Sequence, residues 1–258
     1  MQPSKKETSR RFGQAAAAYA ASAGHARGAD LRIVLEFLEP RASDRMLDVA
    51  TGPGHTAAAF APFVRLAVAT DLAAGMIREA RRQFASRAIA NAVVLVTDAE
   101  ALAFRDGSFD AVTCRIAPHH FADIRAFARE AARVLAPGGR LVLEDSCAPA
   151  DPALDAFLDA IERRRDQTHV RSYTEAEWRA TLEGAGLEVT SREIYRKSHS
   201  IDEWLTTGGT SEETACAVRD AFARAVEPVL SHYEVMFEDG RPVRFTDEKL
   251  VVRAERRA

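Results

Sequence analysis

Short apolar runs alternate with longer amphipathic stretches between residues 45 and 145. RMLDVA (45–50), LAVAT (66–70), AVVLV (92–96), FDAVTC (109–114) and RLVLED (140–145) are rich in Val and Leu and bounded by turn or acidic residues. None alternates polar with apolar as a half-exposed strand would. Each therefore reads as a strand buried on both faces, the condition of a parallel sheet covered by helices. Between them HTAAAFAPF, AAGMIREARRQFASR and FADIRAFAREAARVLA carry helical periodicity. After Leu135, the sequence APGGR stops the last of these and turns the chain into the next strand through Pro137 and the paired glycines. The alternation predicts a doubly wound α/β fold with an open, mostly parallel sheet.

The flanks have another rhythm. Residues 8 to 38 read as an N-terminal helical segment closed by Pro40. After Asp145, DPALDAFLDAIERRR and TEAEWRATLEGAG read as helices, and LEVTSREIYRKS as a strand with partial alternation. SEETACAVRDAFARAVEPVLSHY reads as one long helix (211–231 at its heart), inserted before a final strand-like EKLVVRAER; EDGR at 238–241 is a turn signal. The organisation expected is one compact unit: an N-terminal helical lid (1–40), a ligand-binding core (41–146), and the remainder of the sheet with a helical cap (147–258).

With 258 residues, 47% of them hydrophobic and 28% charged, the chain has the length and apolar content of one such unit. A formal net charge of -3 offers no basic footprint for nucleic-acid phosphates. AAAAYAASAG lacks the hydrophobicity of a signal core, and no window approaches a membrane span. Cys114, Cys147 and Cys216 lie far apart. The expectation is a cytoplasmic protein with free thiols.

The chemistry concentrates in Met46-Leu47-Asp48-Val49-Ala50-Thr51-Gly52-Pro53-Gly54-His55-Thr56, a strand running into a glycine loop that opens a helix. Glycines there let backbone N–H groups approach a ligand at the edge where open α/β sheets bind. Through Ala57 the loop also satisfies the dinucleotide pattern GxGxxA, and a glycine turn without a ligand is a further, lesser reading. Three carboxylates shift the balance. Asp48, ahead of the glycines, repels a pyrophosphate but suits a cationic amino group. Asp71 ends the second strand, roughly 20 residues past the loop, where an acid hydrogen-bonds ribose hydroxyls; it also suits a helix cap. Asp98, after the third strand, suits an exocyclic amine with Ala99 supplying an N–H, and otherwise reads as a turn aspartate.

With these residues in view, the sequence resembles the class I methyltransferases of the type 11 group, which includes the ubiquinone/menaquinone C-methyltransferases and the malonyl-carrier-protein methyltransferase of biotin synthesis. LDVATGPGHTA is similar to their first motif, TDLAAGMIREAR to the second-strand acid, and TDAEALAFRDGSFDAVTCRIAPHHF to the adenine-site acid and fourth strand. REAARVLAPGGRLVLED is similar to their junction into the fifth strand, and SRRFGQAAAAYAASA resembles the N-terminal F-x-x-x-A-x-x-Y pattern. The resemblance covers residues 9 to 146, the rest only in outline. It implies a seven-stranded Rossmann-like sheet with its last strand antiparallel and S-adenosylmethionine over the carboxyl edge. The cofactor positions it implies are Asp48, Ala50, Thr51, Gly52, Gly54, His55, Asp71, Leu72, Met76, Asp98, Ala99 and Arg115; Tyr19 and Phe12 close over them if the N-terminal helix acts as a lid, and otherwise are core. It departs at Ala50, where the family carries glycine; the methyl group is small and the later glycines remain.

Methyl transfer from a sulfonium needs in-line positioning, exclusion of water and, for some acceptors, removal of a proton. The catalytic candidates follow the fourth strand in CRIAPHHF. His119 or His120 acts as general base or orients the acceptor, or else one packs beneath the next helix. Arg115 holds an anionic substrate group or covers the sheet edge. His55 meets the cofactor carboxylate or only begins its helix. No local Cys or His has zinc-ligand spacing. Trp178 and Trp204 read first as packing residues, and Phe222, Val226, Val229 and Leu230 as core or a homodimer contact. The expected partner is a small-molecule or lipid-like acceptor, with no nucleic acid. Two rivals stay open. An NAD(P)-dependent oxidoreductase is weakened by Asp48, Asp98 and the lack of a Tyr-x-x-x-Lys pair. A non-catalytic cofactor-binding protein would keep the fold without turnover.

Overall fold

The apolar runs become strands of one sheet in the computed structural model, which describes residues 3–22, 26, 28–207 and 210–257. They are β1 (Arg45–Val49), β2 (Leu66–Asp71), β3 (Ala92–Val96), β4 (Phe109–Arg115) and β5 (Leu135–Ser146), followed by β6 (Leu187–Ser200), a short β7 (Met236–Glu238) and β8 (Arg241–Arg256). The order is β3-β2-β1-β4-β5-β8-β6, with β7 pairing β8. β1 to β5 pair in parallel, whereas β8 runs antiparallel to both β5 and β6. This is the doubly wound sheet that the alternation predicts, with the antiparallel last strand that the family resemblance implies, extended by β7. The β7–β8 turn has positive φ at Asp239 and Gly240, as a type I′ hairpin requires. Strand order reverses between β1 and β4, which opens a crevice at their carboxyl ends.

Helices cover both faces. α1 (Lys5–Ala21), α2 (Ala29–Leu38), α3 (His55–Phe60), α4 (Ala74–Ser86) and α5 (Ile124–Val134) precede α6 (Pro152–Arg165), α7 (Glu175–Gly184), α8 (Ile201–Thr207), α9 (Glu212–Ala223) and α10 (Glu227–His232). α2 lays Val34 and Leu38 on Met46, Ala111, Val142 and Val251. On the opposite face Phe127, Trp178 and Leu182 of α5 and α7 meet Leu47, Val112, Leu141 and Val252. The alternation of side chains along each strand assigns these two sets to opposite faces. Polar residues fix the helix starts: Asp123 accepts from the N–H groups of Arg125 and Ala126, and Thr174 and Glu177 form a capping box. A third cluster, including Leu158, Ile201, Phe222, Tyr233 and Phe245, builds the cap beside β8. Among the described residues no helix is long and apolar enough to cross a membrane.

Four expectations are revised. AVVLV is not buried on both faces: β3 is the edge strand, and Val93, Leu95 and Val96 are exposed. The long helix after residue 210 is broken into α9 and α10. Pro228 lacks an N–H and its ring would collide with the carbonyl of Arg224, so the first helix ends there, and Val226 in the break is exposed. Pro137 to Gly139 lie within β5, where the β4 register shifts and Gly138 takes positive φ. The N-terminal helix begins earlier than residue 8, and residues 23–25 and 27 of that stretch lie outside the described residues.

Candidate active site

The crevice opens into a cavity of about 1020 Å³ bordered by the glycine loop, the ends of β2, β4 and β5, helix α1 and the C-terminal strands. The loop is held from below. Asp48 is buried and accepts from Thr51 Oγ1 (2.5 Å), Thr113 Oγ1 (2.7 Å) and the N–H of Ala57 (3.2 Å). Its carboxylate is thus committed to the loop and to β4, and Asp48 does not border the cavity, contrary to a direct role towards an amino group. Gly54 is also absent from the wall. A Cβ there would stand 3.0 Å from Ala80 and Phe84, so this glycine serves the packing of α3 on α4. Ala50, Thr51 and Gly52 do border the cavity. Gly52 has φ +56°, and a Cβ at that position would meet no atom within 4 Å; its bareness keeps a cradle open. Ala50 adopts φ 52° without being glycine, which explains why the family carries glycine there.

Asp71 crosses from β2 to this loop. It accepts from the N–H of Gly52 (2.9 Å) and of Ala73 (2.8 Å), which orients it towards the cavity with Leu72 and Met76 beside it. Burial pushes its carboxyl up to about 6, with the two N–H groups pulling the other way. Asp98 and Ala99 border the same end. The side chain of Asp98 is engaged by Lys5 of α1 at 2.6 Å, and Lys5 also meets Glu100 at 2.7 Å. Helix α1 lies close on α4: a Cβ at Gly75 would stand 2.5 Å from the carbonyl of Gly13. Ser9 donates to the carbonyl of Leu72, and Phe12 and Tyr19 border the cavity. His55 begins α3; Gln83 contacts its Nδ1 and the carbonyl of Tyr19 its Nε2, so it ties α1 to the loop.

The two histidines after β4 separate clearly. Asp145, from β5, binds both the backbone N–H of His119 (2.7 Å) and its Nδ1 (2.5 Å). Burial pulls the imidazole down, but Asp145 outweighs it and holds His119 above the usual histidine value. Among the described residues no group hydrogen-bonds Nε2, and His119 borders the cavity. His120 instead uses Nδ1 towards the carbonyl of Thr168, with the edge of Phe12 against its ring. Burial first, and His119 second, keep it neutral by lowering it far below the usual value. Arg115 is buried, ion-paired with Asp30 of α2 and bonded to Thr56 Oγ1 at 3.0 Å. It borders the cavity while fastening α2 to the sheet edge.

The far wall contains residues that sequence reasoning missed. Lys249 of β8 is buried, donating to Ser146 Oγ (2.8 Å) and paired with Asp247 (2.8 Å), which also holds His199 (3.0 Å). Arg165 pairs with Glu162 and lies 4.4 Å above the ring of Trp204, so Trp204 is part of the wall and Trp178 is core. Two acids ending a buried strand (LVLED) and a lysine within EKLVV were the available signals.

An open cradle at Gly52, a ribose-suited carboxylate fixed by backbone N–H groups at Asp71 and a second acid at Asp98 fit S-adenosylmethionine. Comparison with known proteins agrees. Residues 47–143 match the profile described as "Methyltransferase domain". The chain is 33% identical over 233 residues to the uncharacterized methyltransferase YcgJ of Bacillus subtilis, covering 90% of this chain and 92% of that one. The crystal structure of YcgJ superposes with a TM-score of 0.86 at 32% identity, covering 88% and 98% of the two chains. A demethylmenaquinone methyltransferase of Thermus thermophilus is 42% identical over 122 residues, 45% of this chain and 54% of that protein. Glycine loop, strand-end acids, sheet order and whole-length likeness converge: the chain belongs to the class I S-adenosylmethionine-dependent methyltransferases, in the group that includes the ubiquinone/menaquinone C-methyltransferases.

Proposed function

We propose that this enzyme methylates a small polar acceptor held between the loop after β4 and the wall of β5, β8 and α6, with His119 as general base. The observation that carries this reading is the His119–Asp145 pair at the carboxyl edge of the sheet. S-adenosylmethionine supplies an electrophilic methyl group on a sulfonium. At the cofactor end, Asp71 receives ribose hydroxyls, Asp98 and Ala99 meet the adenine, and the loop from Ala50 to Gly52 borders the remainder. Asp48 acts from beneath by fixing that loop.

At the acceptor end, Asp145 takes the Nδ1 proton of His119 as a hydrogen bond and leaves Nε2 with its lone pair towards the cavity. With the methyl donor bound, the proton that the acceptor loses on methylation would pass to Nε2 of His119. Asp145 then stabilises the imidazolium. His120, kept neutral, orients His119 and the acceptor, while Phe12 and Tyr19 exclude water. A quinol acceptor is the second reading, favoured by the menaquinone-enzyme relatives. Their likeness spans less than half of this chain.

The test is titration calorimetry with S-adenosylmethionine, S-adenosylhomocysteine and NAD. Binding of both adenosyl ligands without measurable NAD binding is expected. NAD affinity with none for the sulfonium would overturn the reading in favour of an oxidoreductase.

A further inference from the structure

Glu144 and Asp145 are consecutive on β5, so their side chains leave opposite faces of the sheet. Asp145 is spent on His119. Glu144 lies on the α2 face, opposite Arg115 in the parallel β4 register. Two residues on, Ser146 shares that face and stands opposite Lys249, which in turn stands opposite Tyr195 on β6. Three neighbouring strands thus place Glu144, Ser146, Lys249 and Tyr195 in one polar row at the cavity end.

Within this row almost every polar atom is satisfied from inside the protein. Lys249 has Asp247 and Ser146, and Tyr195 donates its hydroxyl to Glu144 Oε1 at 2.8 Å. The exception is Glu144 Oε2. Glu144 is 1% exposed and borders the cavity, and among the described residues its Oε2 has no hydrogen-bond partner. An orphan carboxyl oxygen shielded from water is destabilising, and more so when charged. Such a cost is retained where a ligand relieves it. The surroundings tune the group in both directions: burial raises its carboxyl to about 7, Asp30 and Asp145 add to this, and Arg115 and Lys249 oppose it. The terminal carboxyl torsion is soft, so the whole group can rock, bringing Oε2 towards the cavity while Oε1 stays within reach of the Tyr195 hydroxyl.

We propose that Glu144 is a specificity-determining residue of the acceptor site, and that the acceptor carries an N–H or O–H group that donates to Glu144 Oε2. The acceptor is then gripped across the end of β5: His119 receives the reacting proton from one face of the sheet, and Glu144 holds a second donor from the other. This rests on the methyl-transfer reading above, because it takes the cavity to be the acceptor site.

The test is saturation-transfer NMR on the protein loaded with S-adenosylhomocysteine, using neutral fragment pairs in which a methyl group caps the donor: 4-ethylphenol against 4-ethylanisole, and benzyl alcohol against benzyl methyl ether. The donor-bearing members are expected to bind at least about tenfold more tightly than their methylated counterparts. Glu144→Leu should abolish this preference, and Glu144→Gln, which keeps one acceptor oxygen and the shape of the side chain, should retain part of it. Equal binding within each pair, an unchanged preference in both variants, or no binding of either member would overturn the proposal. Calorimetry with S-adenosylhomocysteine separates the two ideas: its failure on the unmodified protein sinks the methyl-transfer reading, whereas its success with indifferent fragments sinks only the role of Glu144.

Discussion

The two ends of the cavity are built on different principles. At the cofactor end carboxylates hold the main chain of one loop: Asp71 is aimed by the N–H groups of Gly52 and Ala73, and Asp48 supports the loop through the N–H of Ala57 and the hydroxyls of Thr51 and Thr113. The acceptor end is made of side chains bonded to side chains: His119 to Asp145, Lys249 to Ser146 and Asp247, Arg165 to Glu162. A backbone cradle depends on few residue identities and holds one ligand in a fixed way. A buried network of charges depends on every member, because deleting one leaves another desolvated and unpaired. Cofactor binding should therefore be separable from turnover, and the acceptor end should be where single substitutions change the reaction.

The sharpest break between the two ends is His119→Ala. It should lower kcat by roughly 10²–10⁴-fold, the range for loss of a positioned base, while calorimetric affinity for S-adenosylhomocysteine stays within about twofold. Equal loss of both would make the loop structural. Asp145→Asn probes the same pair through pH. The base acts only when deprotonated, so kcat/KM rises with pH through the His119 value, which Asp145 holds above the ordinary one. Removing that carboxylate leaves burial to pull the imidazole down, so the rising limb should move to lower pH, with a lower plateau.

Asp71→Ala should act on the opposite end. Loss of a charged acceptor for two hydroxyls predicts about 10²-fold weaker binding of S-adenosylmethionine, with kcat at saturation little changed. Because burial raises this carboxyl to about 6, affinity in the unmodified protein should fall as pH drops below that value, where the neutral acid accepts hydrogen bonds less well. A flat profile between pH 5 and about 8 would remove Asp71 from the cofactor contacts.

The same division decides what could be read from sequence. The strands, the glycine loop and the strand-end acids are local signals, each contained in one strand–loop–helix unit; the mostly parallel α/β sheet follows from them, and its antiparallel last strand only from the family resemblance they carry. Local signals also misled where packing intervened: AVVLV is apolar yet lies at the sheet edge, and Asp48 is spent beneath the loop. The acceptor wall was illegible because its partners are remote. Ser146 and Lys249 are 103 residues apart, and Glu144 and Tyr195 are 51 apart; only the β5–β8–β6 register brings them together. The break before Pro228 was legible in principle, since the proline stands inside the helical pattern.

Helix α1 closes the cofactor end through contacts at the surface. Lys5 bridges Asp98 and Glu100 but is well exposed, so the pairs are screened and weak. Lys5→Ala should speed exchange of bound S-adenosylhomocysteine by no more than about fivefold in stopped-flow displacement, the scale of an exposed ion pair. High salt should have the same effect on the unmodified protein and none on the variant. A large change in kcat instead would mean that α1 belongs energetically to the acceptor end.

The smallest effect tests the backbone cradle itself. Ala50 and Ile116 both leave their strands at positive φ and both border the cavity, so each end of the crevice carries a strained corner. For Ala50 the left-handed conformation costs about 1–2 kcal/mol relative to glycine. Ala50→Gly relieves this cost but enlarges the freedom of the unfolded chain, which offsets about 0.4–1 kcal/mol of it. The net expectation is stabilisation by no more than about 1.6 kcal/mol in denaturant unfolding, with unchanged cofactor affinity, because the loop below is held by Asp48 in both proteins. Ala50→Val should be destabilising by more than that gain, since a β-branched side chain is a true outlier in this region. If Ala50→Gly instead loosened cofactor binding, the methyl group at position 50 would be a ligand contact, and the cofactor end would depend on side-chain identity as the acceptor end does.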